Sequence, residues 1–245
     1  GVREYATGDP LKRIHWPSTA RRSALMVKEF ERDPQEQVWI FLDVQRTVHY
    51  EQPYQPPLIA DWIVSRRPEI SLPPSTLEYG VSISASLAHY FLNQRRAVGF
   101  VSAGQVLTVI QPERSQRQEI KILETLAFVK GDGSMPLAGV VDAQLMQIAS
   151  GSSIMLITPS VRADVLLAVR SLQRRSLHPL VILLDAQSFG GPSNEGLAQS
   201  IQALGVPVCH VACGDDLAAV LGAFAGRYTP KETQLWRHPS FIPST

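Results

Sequence analysis

Cysteine is nearly absent from this chain, with only Cys209 and Cys213 in 245 residues. That excludes a disulfide framework and suits a reducing compartment. No apolar run reaches the roughly 18 residues a bilayer-spanning helix needs, and no signal peptide is visible. A charge excess of one sign is missing too, since 23 Lys and Arg face 22 Asp and Glu. Global charge therefore asks for neither nucleic acid nor an anionic membrane. The spacing Gly-x-x-x-x-Gly-Lys-Ser/Thr does not occur, which removes a Walker-type phosphate cradle. Internal repeats and low-complexity tracts are also lacking. Gly1-Val2 runs into charged sequence without an initiator Met, the opening expected of a fragment of a longer polypeptide.

What is present is a globular composition, 44% apolar and 18% charged. Six short runs rich in Val, Ile and Leu read as strands: 37–44, 97–104, 105–111, 152–160, 178–186 and 206–214. Several are apolar on both faces, as a sheet covered by helices on each side requires. Between them lie helical patterns. In 75–96, Leu77, Val81, Ser84, Leu87, Ala88, Phe91 and Leu92 form the expected inner face, with Ser75 and Glu78 as a capping box. Helix 161–175 carries Val161, Val165, Leu166, Val169 and Leu172; helix 193–204 starts on Ser193 and stops at Gly205; helix 215–225 starts on Asp215-Asp216. Two weaker helices fit 115–129 and 136–149. The alternation predicts a doubly wound, mostly parallel α/β sheet. The strands meeting at Ala103-Gly104-Gln105 are too close for a crossover, so they predict a hairpin and one antiparallel edge strand. The Pro-rich stretch 53–74, containing Trp62, reads as a long loop after the first strand.

Ligands of such sheets bind beyond the carboxyl ends of the strands. Asp43 and Asp185 end two of them. Asp43-Val44-Gln45 offers an amide where a phosphotransferase-like aspartate needs a second carboxylate, so a strand-end Asp bonding local amides is the simpler reading. "FGGPSNEG" (189–196) has neither lysine nor dinucleotide spacing and reads as a surface turn. "GVSIS" (80–84) lies inside a helix and lacks the second Gly of a nucleophile elbow. Cys209, His210 and Cys213 are too few and too close for a zinc site, and the other histidines (15, 49, 89, 178 and 238) show no ligand spacing. No catalytic constellation survives.

The densest polar stretch is "REYATGDPLKRIHWPSTARRSALMVKEFE" (3–31). Residues 1–32 hold seven Lys and Arg against the acids Glu4, Asp9, Glu29 and Glu31. Lys12, Arg13, Trp16, Arg21 and Arg22 could grip nucleic acid, with Trp16 stacking. The interleaved carboxylates favour a structural brace of paired charges instead.

This stretch, followed by "VWIFLD", resembles the signature of domain-of-unknown-function family 58. Arg3, Glu4, Tyr5, Gly8, Asp9, Arg13, Ile14, Trp16, Ala20, Arg21, Val27, Lys28, Glu29 and Phe30 match it, while Pro10 departs from it. The resemblance implies a von Willebrand factor A-like domain with a six-stranded sheet and one antiparallel edge. It also implies a non-enzymatic adaptor of a bacterial or archaeal protein, a cytoplasmic domain anchored in the membrane through upstream segments. The implied partner is a MoxR-type AAA+ ATPase, acting in the assembly or maturation of complexes. The expected layout is a signature segment at 1–36, closing an upstream subdomain, the A-like domain at 37–228 and a tail at 229–245.

Relatives of this type often hold Mg²⁺ through Asp-x-Ser-x-Ser, a distant Thr and a later Asp. Here the first element is Asp43-x-Gln45-x-Thr47, and the fourth core strand ends Thr158-Pro159-Ser160 without a carboxylate. An amide replaces a hydroxyl beside a hard cation, so no cofactor is expected, with Asp43 and Thr47 the only candidates. The expected interaction surface is Asp43, Gln45, Thr47, Trp62, Thr158 and Ser160, and Arg3, Glu4, Tyr5, Gly8, Asp9, Arg13, Trp16, Arg21, Lys28 and Glu29 are expected to be structural. Two other readings stand beside this one: a metal-dependent binding domain or hydrolase using Asp43, and a nucleic-acid binder using the basic segment.

Overall fold

Residues 2–6, 14–22, 24–28, 37–55 and 72–227 are described by a computed structural model of the chain. The first elements are small: β1 (Val2–Glu4), α1 (Trp16–Arg22) and β2 (Met26–Lys28), with β1 and β2 pairing antiparallel. The main sheet is built from β3 (Gln37–Leu42), β4 (Ala97–Ala103), β5 (Leu107–Glu113), β6 (Ser153–Thr158), β7 (His178–Leu184) and β8 (Val208–Val211). Its order is β5-β4-β3-β6-β7-β8, six strands of which only the edge strand β5 runs antiparallel, so the expected hairpin and open parallel sheet are both present.

The period-two pattern divides each strand between two cores. Trp39, Phe41, Val101, Ile154, Leu156, Val181 and Leu183 face one side. There they pack under α4 (Leu137–Gln144), α5 (Asp164–Arg174) and α6 (Glu195–Ala203). Val38, Ile40, Leu42, Val98, Phe100, Met155, Ile157, Ile182 and Leu184 face the other. They are covered by α2 (Thr76–Asn93), α3 (Gln116–Ala127) and α7 (Leu217–Arg227). Central strands buried on both faces can hold few polar residues, which is why they read as continuous apolar runs.

Several helix details differ from the sequence reading. The inner face of α2 is Tyr79, Gly80, Ile83, Ser84, Ala88 and Phe91, while Leu77, Val81, Leu87 and Leu92 lie on its flanks. Gly80 sets this rotation: a Cβ there would stand 2.8 Å from Leu42 Cδ1, so the helix backbone presses directly on β3. Ser75 occupies the N-cap in extended conformation but makes no side-chain cap bond, so the expected capping box does not form. Helix α5 begins at Asp164, which leaves Val161 outside it and 37% exposed. Asn194, not Ser193, stands at the N-cap of α6, because its Nδ2 is turned inward to donate to the Leu184 carbonyl (2.7 Å). The hairpin strand is set two residues later than expected, with a register shift between Val98 and Phe100. There Gln118 Nε2 donates to the carbonyls of Val98 and Gln111 at 2.7 Å each, tying α3 to the irregularity.

Candidate functional site

The carboxyl ends of the parallel strands bring together four of the expected surface residues, Asp43, Gln45, Thr158 and Ser160. Asp43 leaves β3 almost fully buried. Both of its carboxylate oxygens are taken from within the domain: the Thr158 hydroxyl donates to Oδ2 at 2.6 Å, and the Gln45 N–H donates to Oδ1 at 3.1 Å. Thr158 ends β6, beside β3, and its Oγ1 also accepts the Ser160 N–H at 3.0 Å. Ser160 Oγ in turn accepts the Arg162 N–H at 3.1 Å. The Thr-Pro-Ser turn is therefore a relay of short local bonds that ends on Asp43.

Burial raises the Asp43 carboxyl to about 6, the bonds from Thr158 and Gln45 oppose that rise, and the charge of Asp164 adds to it. Asp164 is a carboxylate the sequence reading missed. It sits in the first turn of α5, six positions beyond Thr158, and no strand-end motif marks it. One oxygen, Oδ2, lies 3.5 Å from Arg162 Nε, while Oδ1 is buried and unbonded among the described residues.

His49 is the second residue that sequence reasoning passed over. Its Nε2–H donates to the Asp43 carbonyl oxygen at 3.0 Å, which leaves Nδ1 to accept from the Thr76 hydroxyl at 3.0 Å. Burial pulls its pKa down to about 4, so the ring is neutral near pH 7. Spacing gave no hint of it, because the ring bonds a backbone oxygen and a helix threonine rather than a ligand set. The loop after α3 closes the same corner: Gly133 N–H donates to the Val44 carbonyl at 3.0 Å, and Arg46 N–H donates to the Gly133 carbonyl at 2.8 Å. A Cβ on Gly133 would collide with the Ala103 carbonyl oxygen.

Thr47 is exposed on the short 3₁₀ turn Arg46–Val48 and is not drawn toward Asp43, whereas Gln45 is buried. Trp62 lies outside the described residues, as do Gly8, Asp9, Lys12, Arg13 and Glu29. Of the signature, Arg3 and Glu4 pair with Val27 and Met26 in the small sheet. Tyr5 N–H donates to the Leu25 carbonyl at 2.8 Å, and Lys28 pairs with Val2. Trp16 is 66% exposed on α1, and Arg21 and Arg22 are exposed on the same helix.

A divalent cation at this face would have Asp43 and Asp164 as carboxylate donors. The hydroxyl-rich shell that the family resemblance leads one to expect is not assembled among the described residues: Thr47 is exposed, Gln45 brings an amide, and the Thr158 hydroxyl donates to Asp43. Among the described residues, no three His, Cys, Asp or Glu side chains cluster at this face. Two grooves flank the face, of about 470 Å³ by Asp185, Glu195 and His210 and about 530 Å³ by Tyr54 and Pro74. Neither is lined by Asp43, Thr158 or Ser160.

Residues 1–55 match the family model described as "Protein of unknown function DUF58". Over 178 residues the chain is 24% identical to the uncharacterized protein YeaD of Bacillus subtilis (strain 168), covering 72% of this chain and 35% of that protein. The chain thus spans about a third of the length of that curated relative. Among solved structures it is similar to the conserved hypothetical protein BatB from Bacteroides thetaiotaomicron, with a TM-score of 0.49, 12% identity and coverage of 77% of this chain and 95% of that one. It is also similar to an aerotolerance-related membrane protein from Bacteroides fragilis NCTC 9343, with a TM-score of 0.49, 16% identity and coverage of 78% and 95%.

Proposed function

Starting from the DUF58 match of its first 55 residues, we propose that this chain is a non-catalytic protein-interaction domain whose partner docks on the strand-end face. The partner we propose is a MoxR-type AAA+ ATPase, and the full protein is the membrane-anchored adaptor that the family resemblance implies. One observation carries the reading. Both oxygens of Asp43 are satisfied by Thr158 and Gln45, so the acid that such folds offer to a ligand serves here to fix the shape of a surface. Around it, Thr47 and Val161 are exposed. A face with a rigid, hydrogen-bonded centre and exposed side chains at its rim is preorganised for docking.

Binding of the purified chain to the ATPase encoded beside its gene, followed by interferometry with ATP and with ADP, tests the proposal. Thr47→Arg places a long cation on the rim without touching the core, and it is expected to weaken binding at least tenfold. Absence of binding in either nucleotide state refutes the partnership.

Asp164 supports a second reading, a cation site, because its buried Oδ1 lacks a partner among the described residues and its charge raises the Asp43 carboxyl. Calorimetric titration with Mg²⁺ and Mn²⁺ separates the two, since heat that disappears in Asp43→Asn would establish the metal.

A further inference from the structure

The opposite end of the sheet, where the parallel strands begin, gathers arginines. Arg95 and Arg96 precede β4, Arg114 and Arg117 follow β5, and Arg174 and Arg175 end α5 just before β7. Strand register places these segments along one edge: Ala97 pairs with Gln37, Ser153 pairs with His178, and Val98 pairs with Glu113. From β5 to β7 is four strand spacings, or about 19 Å. Arg95, Arg174 and Arg175 are exposed, and no carboxylate pairs with them among the described residues. The neighbouring acids are engaged elsewhere, Glu113 with Lys121 (3.6 Å) and Glu119 with His89 (2.7 Å).

Arg95 has a φ of +59°, in the left-handed region, at the turn from α2 into β4, and Ser176 (φ +54°) does the same at the turn into β7. The corresponding turns into β6 and β8 use Gly151 (φ +84°) and Gly205 (φ +74°). Glycine adopts this conformation without penalty, whereas a residue with a Cβ is disfavoured there, so Arg95 is held there against its own backbone preference. Two exposed apolar side chains share this end of the molecule. Tyr90 lies one turn before the end of α2, and Met146 places its sulfur 2.7 Å from Arg175 Nη2. Neither of the two grooves described above is lined by these residues.

We propose that this face docks on an anionic phospholipid surface. Arginines spread over a shallow end match a planar array of phosphates, and a small anion would need a pocket. Interspersed Tyr and Met side chains suit the headgroup boundary, where an apolar body and a polar tip are both accommodated. Each arginine near such a surface contributes about 1 kcal/mol, equal to roughly a fivefold change in partitioning.

The test is co-sedimentation of the full 245-residue chain with vesicles of phosphatidylcholine alone and of phosphatidylcholine mixed with phosphatidylglycerol, at low and high salt. Binding is expected only to the mixed vesicles and is expected to fall as salt rises. Arg95→Gly should reduce partitioning about fivefold with no loss of thermal stability, which separates this role from a structural one. Arg174→Gln should reduce it by a similar factor. Failure to bind the mixed vesicles, equal binding to neutral ones, or full binding by both variants overturns the proposal. Tighter salt-dependent binding to single-stranded RNA than to the mixed vesicles would overturn it in favour of a nucleic-acid surface.

Discussion

At the carboxyl ends of the strands a carboxylate and an imidazole are buried and bonded inward, whereas at their amino ends Arg95, Arg174 and Arg175 stand exposed with no carboxylate paired to them among the described residues. Asp43 is held by Thr158 and Gln45, and His49 by Thr76 and the Asp43 carbonyl. The side chains of Arg95 and Arg174 are bonded to nothing among the described residues. The chain as a whole is almost neutral, so net charge hides this segregation. Helix direction accounts for part of it: α5 starts on Asp164 and ends on Arg174, each favourable to the helix dipole. What differs is the role of charge. One end uses it to fix geometry, and the other leaves it available.

The largest expected effect belongs to the closed end. Gly133→Ala drives a methyl into the Ala103 carbonyl at the loop that bonds Val44 and Arg46. Neither side can yield cheaply, so a loss of about 3–4 kcal/mol is expected in chemical denaturation. Full retention of stability would mean that the corner is far looser than its hydrogen bonds indicate.

Next come the two buried titrating groups, whose pH slopes oppose each other. Asp43 has a folded pKa of about 6 against 3.8 unfolded, so its contribution is fully present below 3.8 and is lost as pH rises to 6. His49, at about 4 against 6.5, contributes stability that is present above 6.5 and lost as pH falls toward 4. Each is worth about 3 kcal/mol at 1.36 kcal/mol per unit, and the windows overlap. The parent protein should therefore change little in stability between pH 4 and 6.5 on their account. Asp43→Asn removes one slope, so the variant is expected to gain up to about 3 kcal/mol at pH 7 and to become steeply acid-labile below 6.5. Unfolding midpoints across pH 4–7 decide this, and parallel profiles for parent and variant would break the contrast. Thr158→Val should act more weakly. It deprives Asp43 Oδ2 of its donor, costs about 1–3 kcal/mol at neutral pH, and moves the Asp43 titration higher.

The smallest effect lies at the open end. Arg95→Gly relieves a left-handed φ of +59° and is expected to raise stability by about 0.5–1 kcal/mol. A clear loss of stability would show that the arginine braces the turn and would blur the distinction between the two ends.

Much of this was legible in the sequence. The continuous apolar strands, the hairpin at Gly104 and the strand-end position of Asp43 all follow from period and turn spacing, and all are present, with the edge strand set two residues later than expected. The rotation of α2 was not, because Gly80 faces inward by lacking a side chain, and hydropathy favours Leu77 and Leu87 instead. Asp164 and His49 escaped for a related reason. They reach Asp43 through a helix start and a folded-back ring, and no residue spacing encodes either. Segregation of the arginines needs strand order, which places Arg95, Arg114 and Arg175 at one end though they are far apart in the chain.

The central claim is that the strand end is closed on itself, with both carboxylate oxygens of Asp43 bonded from within the domain. Carboxyl carbon NMR of Asp43, titrated with and without millimolar Mg²⁺, measures that state directly. The expected result is a midpoint near 6 that Mg²⁺ leaves unmoved. A midpoint driven down by a unit or more on adding Mg²⁺ would mean that the carboxylate leaves Thr158 for the metal, and would contradict the account.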